Sequence, residues 1–137
     1  MGNISSIQGA LDNALIQFGI DNSIKIALNN IDAPTDTSIP FLASNQVNTG
    51  VAIADLGTTD VRNGFYQINI AYASHSGDAV INDMADLLNA TFKAGANFYH
   101  GGVCVSIDAC EPTQILINNG WAIMPLTITW ASWTARL

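Results

Sequence analysis

The stretch Gly64–Tyr72 constrains the fold most, because large apolar side chains occupy every second position in it. Tyr66, Ile68, Ile70 and Tyr72 alternate with Phe65, Gln67, Asn69 and Ala71. This period of two predicts a β-strand with one face on a hydrophobic core.

A second run, Gly120–Thr134, predicts a long strand with Ala122, Met124, Leu126, Ile128 and Trp130 on one face. Pro125 within that run predicts an edge position or a bulge, because proline has no N–H to donate.

Two other segments show helical spacing of their apolar residues. Residues 4–20 predict one helix that Gly19 can end, with the apolar stripe Ile4, Ile7, Leu11, Leu15 and Phe18. Residues 78–92 predict a second helix, with the stripe Val80, Ile81, Met84, Leu87, Leu88, Thr91 and Phe92. Shorter strands are predicted at Ile24–Leu28, Val51–Leu56 and Val103–Ile107, and a turn at Asp60–Gly64.

These elements together predict an α+β fold in a single domain spanning residues 1–137. Two main helices are expected on one face of a mixed, mostly antiparallel β-sheet of about four to five strands. The segment from about residue 29 to 50 is predicted to be a long irregular loop, with an apolar island at Ile39-Pro40-Phe41-Leu42. Long loops in compact domains are often functional, so the island is expected to dock on a neighbour. The alternative is that the loop folds back and buries Phe41 in its own core.

The low charge of the chain favours an assembled protein. Hydrophobic residues make up 49% of the chain and charged residues 11%, well below the roughly 25% typical of soluble domains. Partner subunits would cover part of such a surface, although a monomer with a neutral polar surface is the alternative. The net charge of −7 leaves no basic patch for tight nucleic-acid binding, and no Lys/Arg cluster for a membrane surface.

No catalytic, cofactor-binding or metal-ligating constellation is found in the sequence, so we expect no enzyme activity and no cofactor. His75 and His100 are isolated, and Asp83 and Asp86 fall on the predicted solvent side of the second helix. Cys104 and Cys110 have neither redox nor zinc spacing, and two buried thiols are expected rather than a disulfide. The first ten residues lack the pattern of a signal peptide.

The order of the predicted elements and the sequences of several of them resemble the phage tail terminator family over nearly the whole chain. The resembling stretches are Ile26–Asn30, Gly64–Ile70, Ser76-Gly77, Asp86–Leu88, Phe92–Gly95 and Gly120–Trp130. The resemblance implies a structural virion protein of a long-tailed phage, assembled in the host cytoplasm and located at the top of the tail. It implies a homo-oligomeric ring, expected to be hexameric, that caps the tail tube, stops its polymerisation and joins it to the neck of the head.

The implied partners are other copies of the chain, the tail tube protein and a neck or head-completion protein. DNA would pass through the ring without sequence-specific binding. Contacts with these partners are expected at Ile39, Phe41, Leu42, Trp133 and Arg136. One alternative is another head–tail connector or neck-completion protein on the same fold, since a fold does not determine a function. A more distant alternative is a small intracellular α+β enzyme or ligand-binding domain, with a deep apolar pocket beside His75 or His100.

Overall fold

The computed structural model describes residues 3–28, 40–53, 59–73, 77–118 and 120–135. Two helices and seven strands lie within these ranges. In chain order they are α1 Asn3–Asn22, β1 Lys25–Leu28, β2 Phe41–Ile53, β3 Thr59–Ala73, α2 Asp78–Thr91, β4 Asn97–His100, β5 Val103–Pro112, β6 Leu116–Asn118 and β7 Trp121–Ala135. The predicted α+β class is confirmed, with more strands than the four to five expected.

The described strands form one sheet in the order β1-β2-β3-β7-β5-β4. The short strand β6 pairs with β7 beyond the end of β5. β1 pairs with β2 in parallel, and the other described pairs are antiparallel. The centre of the sheet is the long pairing of β3 with β7, which runs from Thr59 opposite Ala135 to Ala73 opposite Trp121. The two additional strands, β4 and β6, are too short to show an apolar period.

One face of the sheet carries the main core. On β3 and β7 the predicted alternation is confirmed for the residues buried in this core: Tyr66, Ile68, Ile70, Ala122, Met124, Leu126, Ile128 and Trp130. Tyr72, predicted for the same face, is half-buried against this core. Residues of both helices belong to the same buried cluster, among them Leu11 of α1 and Leu88 of α2. We call this the helix face of the sheet, and the opposite one the outer face.

Helix α1 approaches β1 closely at Gly19. The helix continues to Asn22, so the prediction that Gly19 ends it is wrong. A Cβ added to Gly19 would lie 2.5 Å from Cγ1 of Ile26 and 2.9 Å from the carbonyl oxygen of Ile24. Glycine is therefore required inside the helix for close packing, and the helix ends where Ser23 takes a positive φ of 54°.

Helix α2 begins and ends as predicted to within one residue, and its buried stripe is narrower than predicted. Ile81, Met84, Leu88 and Phe92 are buried, together with Ala85. Val80 and Leu87 are exposed, against the prediction, because the helix covers the sheet with one side only. Two apolar side chains of α2 therefore face away from the main core of their own chain.

The predicted loop at about 29–50 is wrong in its second half. From Phe41 onward the chain is strand β2, which pairs with β1 over four residues and with β3 along its whole length. The register shifts between Asn48 and Gly50, so β2 carries a bulge there. The pairing with β3 overrides the poor strand propensity of its Asn, Gln and Gly residues. Residues 29–39 lie outside the described part of the chain.

Two further predictions are corrected in the centre of the sheet. Asp60–Gly64 is not a turn, because it belongs to β3 and pairs with both β2 and β7. Pro125 lies in a central strand, opposite Asn69 of β3. On its other side β7 changes neighbour there, from the end of β5 at Pro112 to β6 at Leu116. The missing N–H therefore falls in the gap between two strands, where no ladder bond is lost.

Candidate functional site

Phe41 and Leu42, two of the residues expected in subunit contacts, are buried within their own chain. Leu42 is fully buried in the main core. Phe41 lies on the outer face, where its ring packs edge-on against Trp121 with the ring centroids 5.0 Å apart. Both residues therefore stabilise the subunit itself, as in the alternative interpretation of the apolar island. A role in subunit contacts remains a prediction.

The other three predicted contact residues are placed only in part. Trp133 pairs with Val61 near the end of β7, so its backbone lies at the end of the sheet away from Phe41. Ile39 and Arg136 lie outside the described residues. The five predicted residues are therefore not shown to form one surface.

The outer face holds a second, smaller apolar cluster and a central strip of uncharged polar residues, with two exposed charged residues on strands outside the central β3–β7 pair, Lys25 opposite Phe41 and Glu111 opposite Thr127. The cluster contains Phe41, Ala27 and Ala71, with Ala43, Trp121 and Ile123 packed against it. Gln67, Asn69, Thr127 and Thr129 follow along the same face and are half-buried. Phe65 is exposed there. The central strip of uncharged side chains resembles the neutral polar part of a protein–protein interface more than a charged, fully solvated surface.

Several large apolar side chains outside the predicted set are exposed. Tyr99 of β4 is 74% exposed, Ile20 of α1 is 67% exposed, and Ile117 of β6 is 66% exposed. Further exposed residues are Ile16, Val80, Leu87 and Leu116. Ile16 and Ile20 are one helical turn apart, off the buried stripe of α1, so this pair could have been found from the spacing. The short strands β4 and β6 gave no such signal.

A buried polar pair joins α1 to the sheet. The hydroxyl of the fully buried Tyr66 donates a hydrogen bond of 2.6 Å to Oδ1 of Asp12. Burial raises the pKa of Asp12, and the hydrogen bonds from Tyr66 and Gln8 oppose that shift. The pKa of Tyr66 is raised as well, mainly by burial and then by the bond to Asp12. Burial thus shifts the pKa of both groups in the direction of the neutral form, and their hydrogen bond joins α1 to β3.

His100, beside which the enzyme or ligand-binding alternative places a pocket, packs against α1. A Cβ added to Gly9 would lie 2.5 Å from Cδ2 of His100, so the imidazole fills the space that a side chain would need. Nδ1 of His100 lies 3.3 Å from the side-chain nitrogen of Asn13. His75 lies outside the described residues. His100 therefore acts in a contact between two elements.

The remaining titratable groups form no reactive arrangement within the described part of the chain. Asp83 and Asp86 are exposed on α2, as predicted. No group of three or more His, Cys, Asp or Glu side chains that could hold a metal is found among the described residues, and no pocket is found there either. No described helix is both long and apolar enough to span a membrane.

The two cysteines are unpaired and half-buried. Cys104 and Cys110 both lie on β5. Burial, and to a smaller degree the charge of Glu111, raises the pKa of the Cys110 thiol to about 11. Because the thiolate is the reactive form, Cys110 is a poor nucleophile at neutral pH.

The model of the family described as "Phage tail terminator protein" matches residues 6–130. The match begins within α1, includes the whole of α2 and reaches Trp130 in the final strand. This chain belongs to the phage tail terminator family. Members of this family are structural, non-enzymatic proteins of the virion, so the chain has a structural role in the phage tail and contacts other proteins of the particle.

Solved structures share the fold of this family member. One, whose name states no function, is similar with a TM-score of 0.73 at 15% identity, and the match covers 92% of each chain. Another belongs to the virion of a native gene transfer agent (GTA) particle, with a TM-score of 0.55 at 8% identity and 96% of each chain covered. At these identities the likeness shows the fold alone. No curated protein matches the chain.

Proposed function

We propose that this protein is the tail terminator itself, a closed ring of identical subunits that sits on the last layer of the tail tube. The ring, expected to be a hexamer, ends polymerisation of the tube and presents its other side to the neck of the head. The observation that carries the proposal is the family match over residues 6–130. In this mechanism the ring fits the end of the tube by surface complementarity, and no covalent bond is made or broken. A capped end no longer offers the surface to which tube subunits add.

The surface of the chain supports an assembled state. Exposed apolar residues occur on both helices and on two short strands, among them Ile20, Leu87, Tyr99 and Ile117. Only 11% of the residues are charged, so partner proteins are well suited to cover these positions. A closed ring needs two different, mutually complementary surfaces on each subunit.

The charge of the chain suits a conduit for DNA. Its four basic residues are few against eleven acidic ones. Lys25, Arg62 and Lys93 lie in β1, in β3 and after α2, and so form no run along one element. With only four basic residues in each chain, the ring would offer little positive charge to hold the phosphate backbone, and DNA could pass during ejection without sequence-specific binding.

The proposal is tested with a phage that carries a stop codon in this gene, examined by electron microscopy. Tails of abnormal and variable length beside DNA-filled heads are expected. Tails of normal length that do not join heads would instead assign the protein to the neck, which is the alternative on the same fold. Intact virions would contradict both assignments.

A further inference from the structure

At each of its two margins, the sheet has strand backbone with no neighbouring strand among the described residues. At one margin β1 covers β2 only at Phe41–Ser44, and among the described residues no strand pairs with the outer side of β2 from Asn45 to Ile53. At the other margin β4 is the last strand of the sheet. Unpaired strand edges expose N–H and C=O groups that readily pair with another chain.

Some parts of both margins carry the usual protection against such pairing. β1 bears the exposed Lys25, and β5 beyond its pairing with β4 bears the exposed Asp108 and Glu111 and ends at Pro112. Charged residues and prolines on an edge disfavour the addition of a further strand. In contrast, the sequences Gly50–Ile53 of β2 and Asn97–His100 of β4 contain neither an acidic or Lys/Arg residue nor a proline. We call these two segments the open edges.

The open edges lie at the same level of the sheet. Asn97 is opposite Ser106, which is opposite Ala131, and that level continues through Asn63 to Gly50. One residue further along, Phe98 is connected in the same way, strand by strand, to Val51 of β2. β4 and β2 also run in the same direction, because an even number of antiparallel steps separates them.

The backbone groups of both open edges point outward at alternate residues. Ile107 exchanges hydrogen bonds with Gly95 and Ala96, so it faces the β4 side of β5. Backbone groups alternate sides along a strand, so Val105 and its partner Phe98 face each other, and Asn97 and Tyr99 point away from the sheet.

The same reasoning applies to β2. The carbonyl of Pro125 accepts a hydrogen bond from the Thr113 N–H and therefore faces away from β3. Backbone groups alternate sides along each strand, so the pairing of β7 with β3 and then of β3 with β2 determines which residues of β2 face β3. By this count the N–H and C=O groups of Val51 and Ile53 point away from β3.

We infer that the β2 open edge of one subunit pairs in parallel with the β4 open edge of a second copy. The inference deepens the proposed function, on which it rests, by naming the strands that close the ring. Because β2 and β4 run in the same direction at the same level of the sheet, a rotation about an axis parallel to these strands can bring β2 of one subunit beside β4 of the next. Each subunit then uses one edge of each kind. Such a heterologous contact can close into a ring, whereas pairing of β2 with β2 would be isologous and stop at a dimer.

The test replaces one outward N–H at a time. Val51→Pro blocks the β2 open edge and Tyr99→Pro blocks the β4 open edge, and proline is tolerated in an edge strand where the lost N–H faces outward. Val51→Ala and Tyr99→Ala are the matched controls, since they shorten the side chain and keep the N–H. Native mass spectrometry gives the oligomeric state, and circular dichroism during heating checks the fold.

We expect each proline variant to be a folded monomer and each alanine variant to retain the oligomer. A mixture of the two proline variants is expected to form a dimer and nothing larger, because one intact edge of each kind remains. Wild-type oligomers from either proline variant, or a dimer of Tyr99→Pro alone, would overturn the inference.

Hydrogen exchange on the wild-type protein keeps the inference falsifiable if a proline variant does not fold. The amides of Val51, Ile53, Asn97 and Tyr99 should be protected in the ring, or in the capped tube if the ring forms only there, and should exchange in the dissociated subunit. Exchange in the assembly, or protection in the subunit, would overturn the inference. A wild-type ring that caps tubes while these amides exchange would leave the proposed function intact. A wild-type protein that neither assembles nor caps tubes would overturn both.

Discussion

Neighbouring residues of β7 meet two different environments. Leu126 and Ile128 point to the helix face and are fully buried, whereas Thr127 and Thr129 point to the outer face and are half-buried. The helix face joins the two helices to the sheet through large apolar side chains. On β3 and β7 the outer face has a small apolar cluster at one end and then uncharged polar residues, among them Gln67, Asn69, Thr127 and Thr129. Stability is therefore concentrated on the helix face, and much of the outer face can change without unfolding the subunit.

Leu126→Ala should give the largest effect. It leaves a cavity at the centre of the helix face and should lower the free energy of unfolding by about 2–5 kcal/mol. Thr127→Ala, one residue along the same strand, is the matched control and should cost less than about 1 kcal/mol. Urea denaturation of both variants measures the difference, and equal losses would show that the two faces do not differ in this way.

Gly19→Ala should destabilise the contact between α1 and β1. The added Cβ would meet both Cγ1 of Ile26 and the backbone of Ile24, so α1 or β1 must shift, at a cost of roughly 1–3 kcal/mol. The better helix propensity of alanine offsets up to about 1 kcal/mol of this cost. Thermal unfolding provides the measurement, with Gly95→Ala as a control for a glycine whose Cβ would enter open space but whose φ is positive. A Gly19→Ala variant more stable than wild type would contradict the close packing.

Tyr66→Phe should lower the free energy of unfolding by about 1–3 kcal/mol, because the half-buried Asp12 loses the hydrogen bond from the buried phenol. The pKa of Asp12 is raised in the folded protein, so folding takes up a proton at this site. Its contribution to stability is therefore fully present below the ordinary pKa of an aspartic acid and is lost as the pH rises through the raised pKa of folded Asp12.

Asp12→Asn should remove this pH dependence, and Tyr66→Phe should strengthen it, because the phenol hydrogen bond normally lowers the pKa of Asp12. Unfolding midpoints measured across that pH range in both variants give the comparison. An Asp12→Asn variant with the pH profile of the wild type would show that another group is responsible.

Asp83→Asn should have the smallest effect. Its carboxylate is exposed on α2, away from the main core, and surface substitutions of this kind usually change stability by less than about 0.5 kcal/mol. Chemical denaturation beside Asp12→Asn separates an exposed from a half-buried carboxylate. A large loss would indicate that α2 holds a structural contact at Asp83.

The helix face could be predicted from the sequence because it is made of side chains with a regular period. The alternation of Tyr66, Ile68 and Ile70 and the stripe of Leu11, Leu15 and Phe18 are both confirmed. The prediction that Val80 and Leu87 belong to the buried stripe is wrong, because apolarity alone does not reveal how wide a face of the helix the sheet covers.

The margins of the sheet could not be predicted in the same way, because they depend on backbone pairing between distant segments. β4 and β6 are four and three residues long, too short for a period to appear. The polar stretch Asn45–Asn48 becomes part of a strand only through its pairing with β3. Of the predicted contact residues, the described side chains Phe41 and Leu42 are core residues, since the sequence shows that a residue is apolar and does not show which surface buries it.

The most direct test of the proposed role is polymerisation of the tail tube protein in the presence of this protein, followed by electron microscopy of the products. The account predicts short tubes that stop growing and carry a ring of this protein at one end, with Asp83→Asn behaving as the wild type. Tubes that grow to the same length with and without the protein, and carry no ring, would contradict the account.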